Sequence, residues 1–267
     1  MTAPDIRLIA ADMDGTLLDG DGRVPDSFWP LLERLHARGI AFAPASGRQL
    51  ATLQRLFGEA DLPYIAENGT YVVRGGAEVS SDTLAPDAVA SVVARTRALV
   101  ADGRLRAGVV VCGKRSAYVE DTGPAFLDEV RKYYAKLAVV DDLLGVDDQV
   151  LKLAIYDVDG GETHTAPAMA DLAETHQLVV SGAHWVDIMN PDVNKGRALR
   201  ALQSALGVTA AQTAAFGDYL NDVEMLEAAH WSYAMAEAHA DVVAVARYRA
   251  PSNADAGVVQ AIERLLA

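Results

Sequence analysis

Leu8-Ile9-Ala10-Ala11-Asp12-Met13-Asp14-Gly15-Thr16-Leu17 opens as an apolar run and ends in two carboxylates, a glycine and a threonine. Two acidic side chains therefore leave the end of an expected buried strand through a glycine turn. Carboxylates two residues apart on a turning backbone can divide labour. One can attack phosphorus while the other handles protons and presents its backbone carbonyl to a metal. Gly15 lets the chain bend close to an anion, and Thr16 offers a hydroxyl and an amide to phosphate oxygens. An ordinary helix cap after a strand would use the same residue types. A calcium loop fits worse, because its invariant glycine falls on Leu17 here.

Three further segments carry matching chemistry. Ile40-Ala41-Phe42-Ala43-Pro44-Ala45 reads as a second strand ending in Ser46-Gly47-Arg48, and a hydroxyl with open amides at a strand end suits a phosphate oxygen. Asn194-Lys195-Gly196 opens a helix with Leu199, Leu202 and Leu206 on one face. A lysine at that end opposes the helix dipole, which favours a use over decoration. Thr213-Ala214-Ala215-Phe216 is a short strand running into Gly217-Asp218-Tyr219-Leu220-Asn221-Asp222, whose acidic and amide groups suit a hard, oxygen-ligated cation. Taken singly, each segment also reads as a capped turn or a solvated lysine.

In this order the four segments, DxDGT, a serine before Gly-Arg, a lysine and GDxxND, resemble the haloacid dehalogenase superfamily of phosphotransferases. The resemblance runs the length of the chain. The long segment between Ser46 and Lys195 is similar to the inserted cap of the Cof-type subgroup (type IIB cap), and Ala66-Glu67-Asn68-Gly69-Thr70 matches its Glu-Asn-Gly turn. Val111-Cys112-Gly113-Lys114-Arg115-Ser116-Ala117-Tyr118-Val119-Glu120 and Lys132-Tyr133-Tyr134 resemble bacterial sugar phosphatases of that subgroup.

Composition sets the outer limits. A chain of 267 residues can bury one sizeable core and a smaller second one. No apolar run approaches the roughly 20 residues of a spanning helix. The first residues run into charged Asp5 and Arg7 instead of a signal-peptide core, so a cytoplasmic protein is expected. Cys112 is the single cysteine, which excludes an internal disulfide and agrees with a reducing compartment. The formal net charge of -14 argues against nucleic acid and anionic membrane as partners. It also requires a phosphate site made locally positive by a metal, Arg48, Lys195 and backbone amides. A small phosphorylated metabolite is the expected partner, and the protein itself a monomer or homodimer.

The pattern predicts an α/β fold with a Rossmann-like parallel-sheet core, built from residues 1–79 and 191–267. Strands alternate with amphipathic helices around Phe28–Leu35 and Leu50–Leu56, and the alternation returns after Lys195. Residues 80–190 read instead as an α+β insert, the cap domain, with helices on one face of an antiparallel sheet and a helix around Met169 and Leu172. Of the six histidines none has the i, i+4 spacing and third ligand of a zinc site. His184-Trp185 reads as packing, and Asp19-Gly20-Asp21-Gly22 fails as a calcium loop because Arg23 takes the next ligand position.

The resemblance implies hydrolysis of a phosphate monoester in two steps. Asp12 would be the nucleophile and Asp14 the acid and base, with Lys195 neutralising charge. Mg2+ would be held by Asp12, the Asp14 carbonyl and Asp218. Ser46, Gly47 and Asn221 would hold phosphate oxygens, with Arg48 nearer the leaving group. Thr16 would lie behind these groups, and Asp222 would orient the metal's waters or brace Lys195. A mutase of the phosphomannomutase type shares this site but needs further cations in the cap, for which Lys114, Arg115, Arg131, Lys132 and Lys152 are available. A non-enzymatic receiver module would leave the long insert without a use. A dehalogenase would need neither metal nor Asp14 and Asp218.

Overall fold

The computed structural model describes residues 4–58 and 60–267. In chain order β1 (Leu8–Asp12), α1 (Phe28–Ala37), β2 (Ala41–Ala45), α2 (Leu50–Phe57) and β3 (Tyr64–Ala66) alternate strand and helix. Strands β4 (Tyr71–Arg74) and β5 (Ala77–Ser81) follow. The middle of the chain forms α3 (Pro86–Ala101), β6 (Ala107–Gly113), β7 (Ala117–Val119), α4 (Pro124–Tyr133), β8 (Leu137–Val139), β9 (Val150–Asp157), the single turn α5 (Ala166–Ala168), β10 (Gln177–Gly182) and β11 (Trp185–Met189). Alternation then resumes with α6 (Lys195–Leu206), β12 (Thr213–Gly217), α7 (Val223–Glu227), β13 (Trp231–Ala234), α8 (Ala240–Val245), β14 (Tyr248–Arg249) and α9 (Gly257–Leu266). These elements divide into two compact units, Ser81–Val193 and the residues before and after it.

The discontinuous unit is built on an eight-stranded sheet in the order β14-β13-β12-β1-β2-β3-β4-β5. β14 through β3 run parallel, and β4 turns back antiparallel on β3. A parallel strand covered on both faces must be apolar at every position, and all five residues of β1 are buried. Ile9, Ala11 and Phe42 pack one face with α1, α2 and α9, where Phe28 meets Phe42 edge-on at 4.8 Å. Leu8, Ala10, Ala43 and Ala45 pack the other with Leu199 and Leu202 of α6 and Leu226 of α7. Because β1, β2 and β12 are parallel neighbours, their carboxyl ends open on the same edge of the sheet, where ligands of such folds bind.

The 81–193 unit holds a six-stranded sheet in the order β10-β11-β9-β6-β7-β8. Its pairs are antiparallel except β7 with β8, which run parallel in the register Ala117↔Leu137. That departs from the expected antiparallel sheet with helices on one face. The cause is α4: a helix joining two parallel strands must cross a face of the sheet. Phe126 and Val130 of α4 pack on Val110, Cys112 and Ala154, whereas Val89, Val92 and Val93 of α3 pack on Val109, Val111, Leu153 and Ile155. Both faces of β6 are therefore covered, which accounts for its unbroken apolar run. The helix expected around Met169 is limited to the single turn α5 and a 3-10 turn at Ala170–Glu174, because Met169 leaves helical geometry at φ -113 as its side chain is buried.

Trp185 packs as expected, among Tyr156 at 5.1 Å, Tyr133 at 5.4 Å and Tyr134 at 6.4 Å, while His184 donates from Nδ1 to the Asp157 carbonyl. Cys112 is a buried strand residue. The Asp19 carboxylate accepts the backbone N–H groups of Asp21 and Arg23, both at 2.9 Å, and so closes its own loop. Among the described residues no helix is long and apolar enough to cross a membrane.

Candidate active site

Asp12 is the last residue of β1, and only 7% of it is exposed. Strand β1 turns at Met13–Leu17, where Gly15 takes φ +77, a value that suits glycine. The turn brings Thr16 against Asp218, just beyond β12: the Thr16 hydroxyl donates to Asp218 Oδ1 at 2.8 Å. That hydroxyl therefore supports a carboxylate.

Lys195 begins α6, behind the Asn194 side chain, which accepts the Arg197 N–H at 2.8 Å as an N-cap. A lysine at this position would ordinarily reach solvent. Here it is fully buried, and its ammonium donates to Asp12 Oδ1 and, at 2.7 Å, to Asp222 Oδ1. Burial alone would lower its pKa, but the two carboxylates outweigh it and hold the amine protonated. The other oxygen of Asp222 accepts the backbone N–H groups of Asp218 and Tyr219 at 3.0 and 3.3 Å. Asp222 thus braces Lys195 and shapes the Asp218 turn.

Asp12, Asp218 and Asp222 bring carboxylate oxygens within 4.8 Å of one another. Burial raises the Asp12 pKa, and Asp222 and Asp218 raise it further against the pull of Lys195. Burial is also the main cause of the raised pKa of Asp218. Three carboxylates around one ammonium leave an excess of negative charge in a confined space. Lys195 engages one oxygen of Asp12 and Thr16 one oxygen of Asp218, so each carboxylate keeps a second oxygen to offer a hard cation. Asp222 has both oxygens engaged. The donor set fits a divalent ion on Asp12 and Asp218.

Ser46 follows β2, is buried, and accepts the Arg48 N–H on its hydroxyl at 3.1 Å. Arg48 grips the carboxylate of the exposed Asp14 with two hydrogen bonds, Nε to Oδ2 at 2.9 Å and Nη2 to Oδ1 at 2.5 Å. The sequence placed Arg48 by the leaving group; its observed partner is the carboxylate expected to exchange protons there. Asn221 donates to Oδ1 of Asn68 at 3.2 Å. Asn68 was legible only as part of a turn and not as a member of this set. The groups singled out at the ends of β1, β2 and β12 and the start of α6 thus come together through named pairs: Asp12–Lys195–Asp222, Thr16–Asp218 and Asp14–Arg48.

This geometry can be set beside known proteins. The chain is 34% identical over 266 residues to a 5-amino-6-(5-phospho-D-ribitylamino)uracil phosphatase of Escherichia coli (strain K12), covering 98% of this chain and 96% of that one. It is 30% identical to an HMP-PP phosphatase of Cronobacter sakazakii over 84% of this chain and 81% of the other. Its fold is that of a sugar phosphatase of the HAD subclass IIB, with a TM-score of 0.79 at 20% identity over 97% and 98% of the two chains. A family model described as haloacid dehalogenase-like hydrolase matches residues 9–262. With that match spanning both units and every motif, the chain belongs to the haloacid dehalogenase-like hydrolases.

Proposed function

We propose that this phosphatase hydrolyses the phosphate monoester of a small metabolite, a phosphorylated sugar or sugar alcohol, through an aspartyl phosphate on Asp12. The observation that carries the reading is the buried Lys195, held between Asp12 and Asp222 at the sheet edge where Asp218 also lies. A protonated amine fixed there offsets the charge of a phosphoryl group approaching Asp12. In the first step an Asp12 oxygen bonds to phosphorus as the ester oxygen departs, and Asp14 gives that oxygen a proton. In the second, water attacks the same phosphorus, Asp14 takes its proton, and inorganic phosphate leaves with Asp12 restored. Arg48 orients Asp14 for both transfers, and Ser46, the amide of Gly47 and Asn221 hold phosphoryl oxygens. Asp12, Asp218 and the Asp14 carbonyl would hold Mg2+. When bound, that ion supplies neutralisation of the carboxylates and the phosphoryl oxygens.

The E. coli relative supports the substrate class, because its named substrate carries phosphate on a ribityl chain. Hydrolysis is favoured over transfer to a second sugar hydroxyl. A mutase needs cations for a second phosphate, and four of those on offer are paired within the 81–193 unit. Lys152 is buried against Asp187 at 2.9 Å, Lys132 pairs with Glu129, Arg131 with Asp128 and Arg115 with Asp148.

The test is initial rates with an aryl phosphate and a panel of sugar phosphates, nucleotides, pyridoxal phosphate and flavin mononucleotide. Turnover is expected with Mg2+ and is expected to vanish in excess chelator. Undiminished rates in chelator would overturn the metal assignment. The 81–193 unit is proposed as the cap that selects the leaving alcohol. Exchanging it for the corresponding segment of a differently selective relative is expected to reorder the panel and leave the Mg2+ requirement unchanged. A chimera with the parent's ranking, or nucleotides outranking every sugar phosphate in the parent, would remove the sugar-phosphate assignment.

A further inference from the structure

Glu67, Asn68 and Gly69 have φ of 51, 58 and 97°, three consecutive residues in the left-handed region. Glycine is suited to it and asparagine tolerates it, whereas Glu67 does neither. Of the four described non-glycine residues with positive φ, two are therefore adjacent in this one turn. Such conformations persist where surrounding contacts enforce them, and they gather at functional sites.

The contacts here are specific. Asn68 N–H donates to the Ser46 carbonyl at 2.9 Å and Glu67 N–H to the Arg48 carbonyl at 3.1 Å, so the turn clasps the loop after β2 from both ends. A side chain at Gly47, between them, would strike the Asn68 amide at 2.9 Å. The same amide accepts from Asn221 beyond β12. On its other side a Cβ at Gly69 would lie 2.5 Å from the carbonyl of Asn194, the residue before Lys195. One strained turn thus abuts three segments: Ser46-Gly47-Arg48, Asn194-Lys195 and Asn221. Asn68 is 7% exposed, and its side chain spans the gap between the first and the last of them.

We propose that Asn68 is a positioning residue for phosphoryl binding. It holds Asn221 and the Ser46–Arg48 loop in a common register, so that their donors meet the oxygens of one phosphoryl group. The inference rests on the phosphatase reading above. The left-handed backbone at Asn68 provides a test that separates positioning from ordinary packing, because glycine can stand there without a steric penalty.

Asn68→Gly removes the carboxamide while easing the backbone, since glycine accepts φ 58 without a Cβ penalty. The variant is expected to melt at the wild-type temperature or above it. It should nonetheless lose about tenfold in kcat/KM for an aryl phosphate, with the loss in KM, as expected when groups that grip a phosphoryl group equally in substrate and transition state are loosened. Inorganic phosphate, titrated calorimetrically with Mg2+ present, should weaken by a similar factor. In an Asn221→Ala background Asn68→Gly should add little, because the two act as one contact. Wild-type phosphate affinity in Asn68→Gly, a melting temperature that falls along with affinity, or losses that multiply in the double variant would each overturn the proposal. A wild type that neither turns over an aryl phosphate nor binds phosphate would instead show that the phosphatase reading had failed, and this inference with it.

Discussion

Asp12→Asn is expected to lower turnover by on the order of 10⁴-fold or more while the protein melts no earlier than wild type. The two halves have different origins. Asparagine has almost the shape of aspartate, but its amide is a poor nucleophile, so no aspartyl phosphate can form at that position. Stability should survive because Asp12 is a crowded charge: burial and the neighbouring Asp222 and Asp218 already press it toward its neutral form. Removing one of the carboxylates around Lys195 still leaves the ammonium paired with Asp222. Steady-state kinetics and thermal unfolding on the same preparation check both halves. Trapping the wild-type intermediate with a fluoride analogue of phosphate should place the adduct on Asp12, and an adduct on any other residue would overturn the mechanism.

How much of this site was legible depended on how local each signal was. Asp12, Ser46 and Asp218 announce themselves because each directly follows a short apolar strand, and strand order needs only the alternation of strands and helices to bring those ends together. Lys195 was legible as a residue but not as a buried one. Its burial depends on α6 starting beside Asp222, 27 residues further along the chain. Arg48 and Asp14 are 34 positions apart, and nothing local in either motif states that they pair. Asn68 was missed because its signal is conformational: the sequence shows an Asn before a Gly, whereas its importance lies in a positive φ and in contacts to two distant loops. In the 81–193 unit the strand Leu137–Val139 has three residues, too few for a periodic pattern, and without it the parallel β7–β8 pair and the second covered face could not be inferred.

Lys195→Met should be the most damaging single change to stability, and it should lower turnover as well. Methionine fills much of the volume of the lysine stem but leaves Asp12 and Asp222 buried without their shared counter-charge. Removing one partner of a buried ion pair typically costs about 3–5 kcal/mol, because the remaining charge is left uncompensated. At roughly 2–4 °C per kcal/mol for a domain of this size, the melting temperature should fall by on the order of 10 °C when measured without divalent ions. Asp222 contributes to that loss beyond its own charge, since its second oxygen holds the Asp218 and Tyr219 amides and any shift would loosen the Asp218 turn. Combining Lys195→Met with Asp12→Asn removes one of the two stranded carboxylates. The double variant should therefore recover part of the lost melting temperature while its turnover stays at the level of Asp12→Asn. Thermal unfolding of the two single variants and the double variant, with rates on the same samples, reads both quantities. If Lys195→Met melted with the wild type, or if Asp12→Asn failed to restore any of its stability, Lys195 would not be the counter-charge on which this site is built.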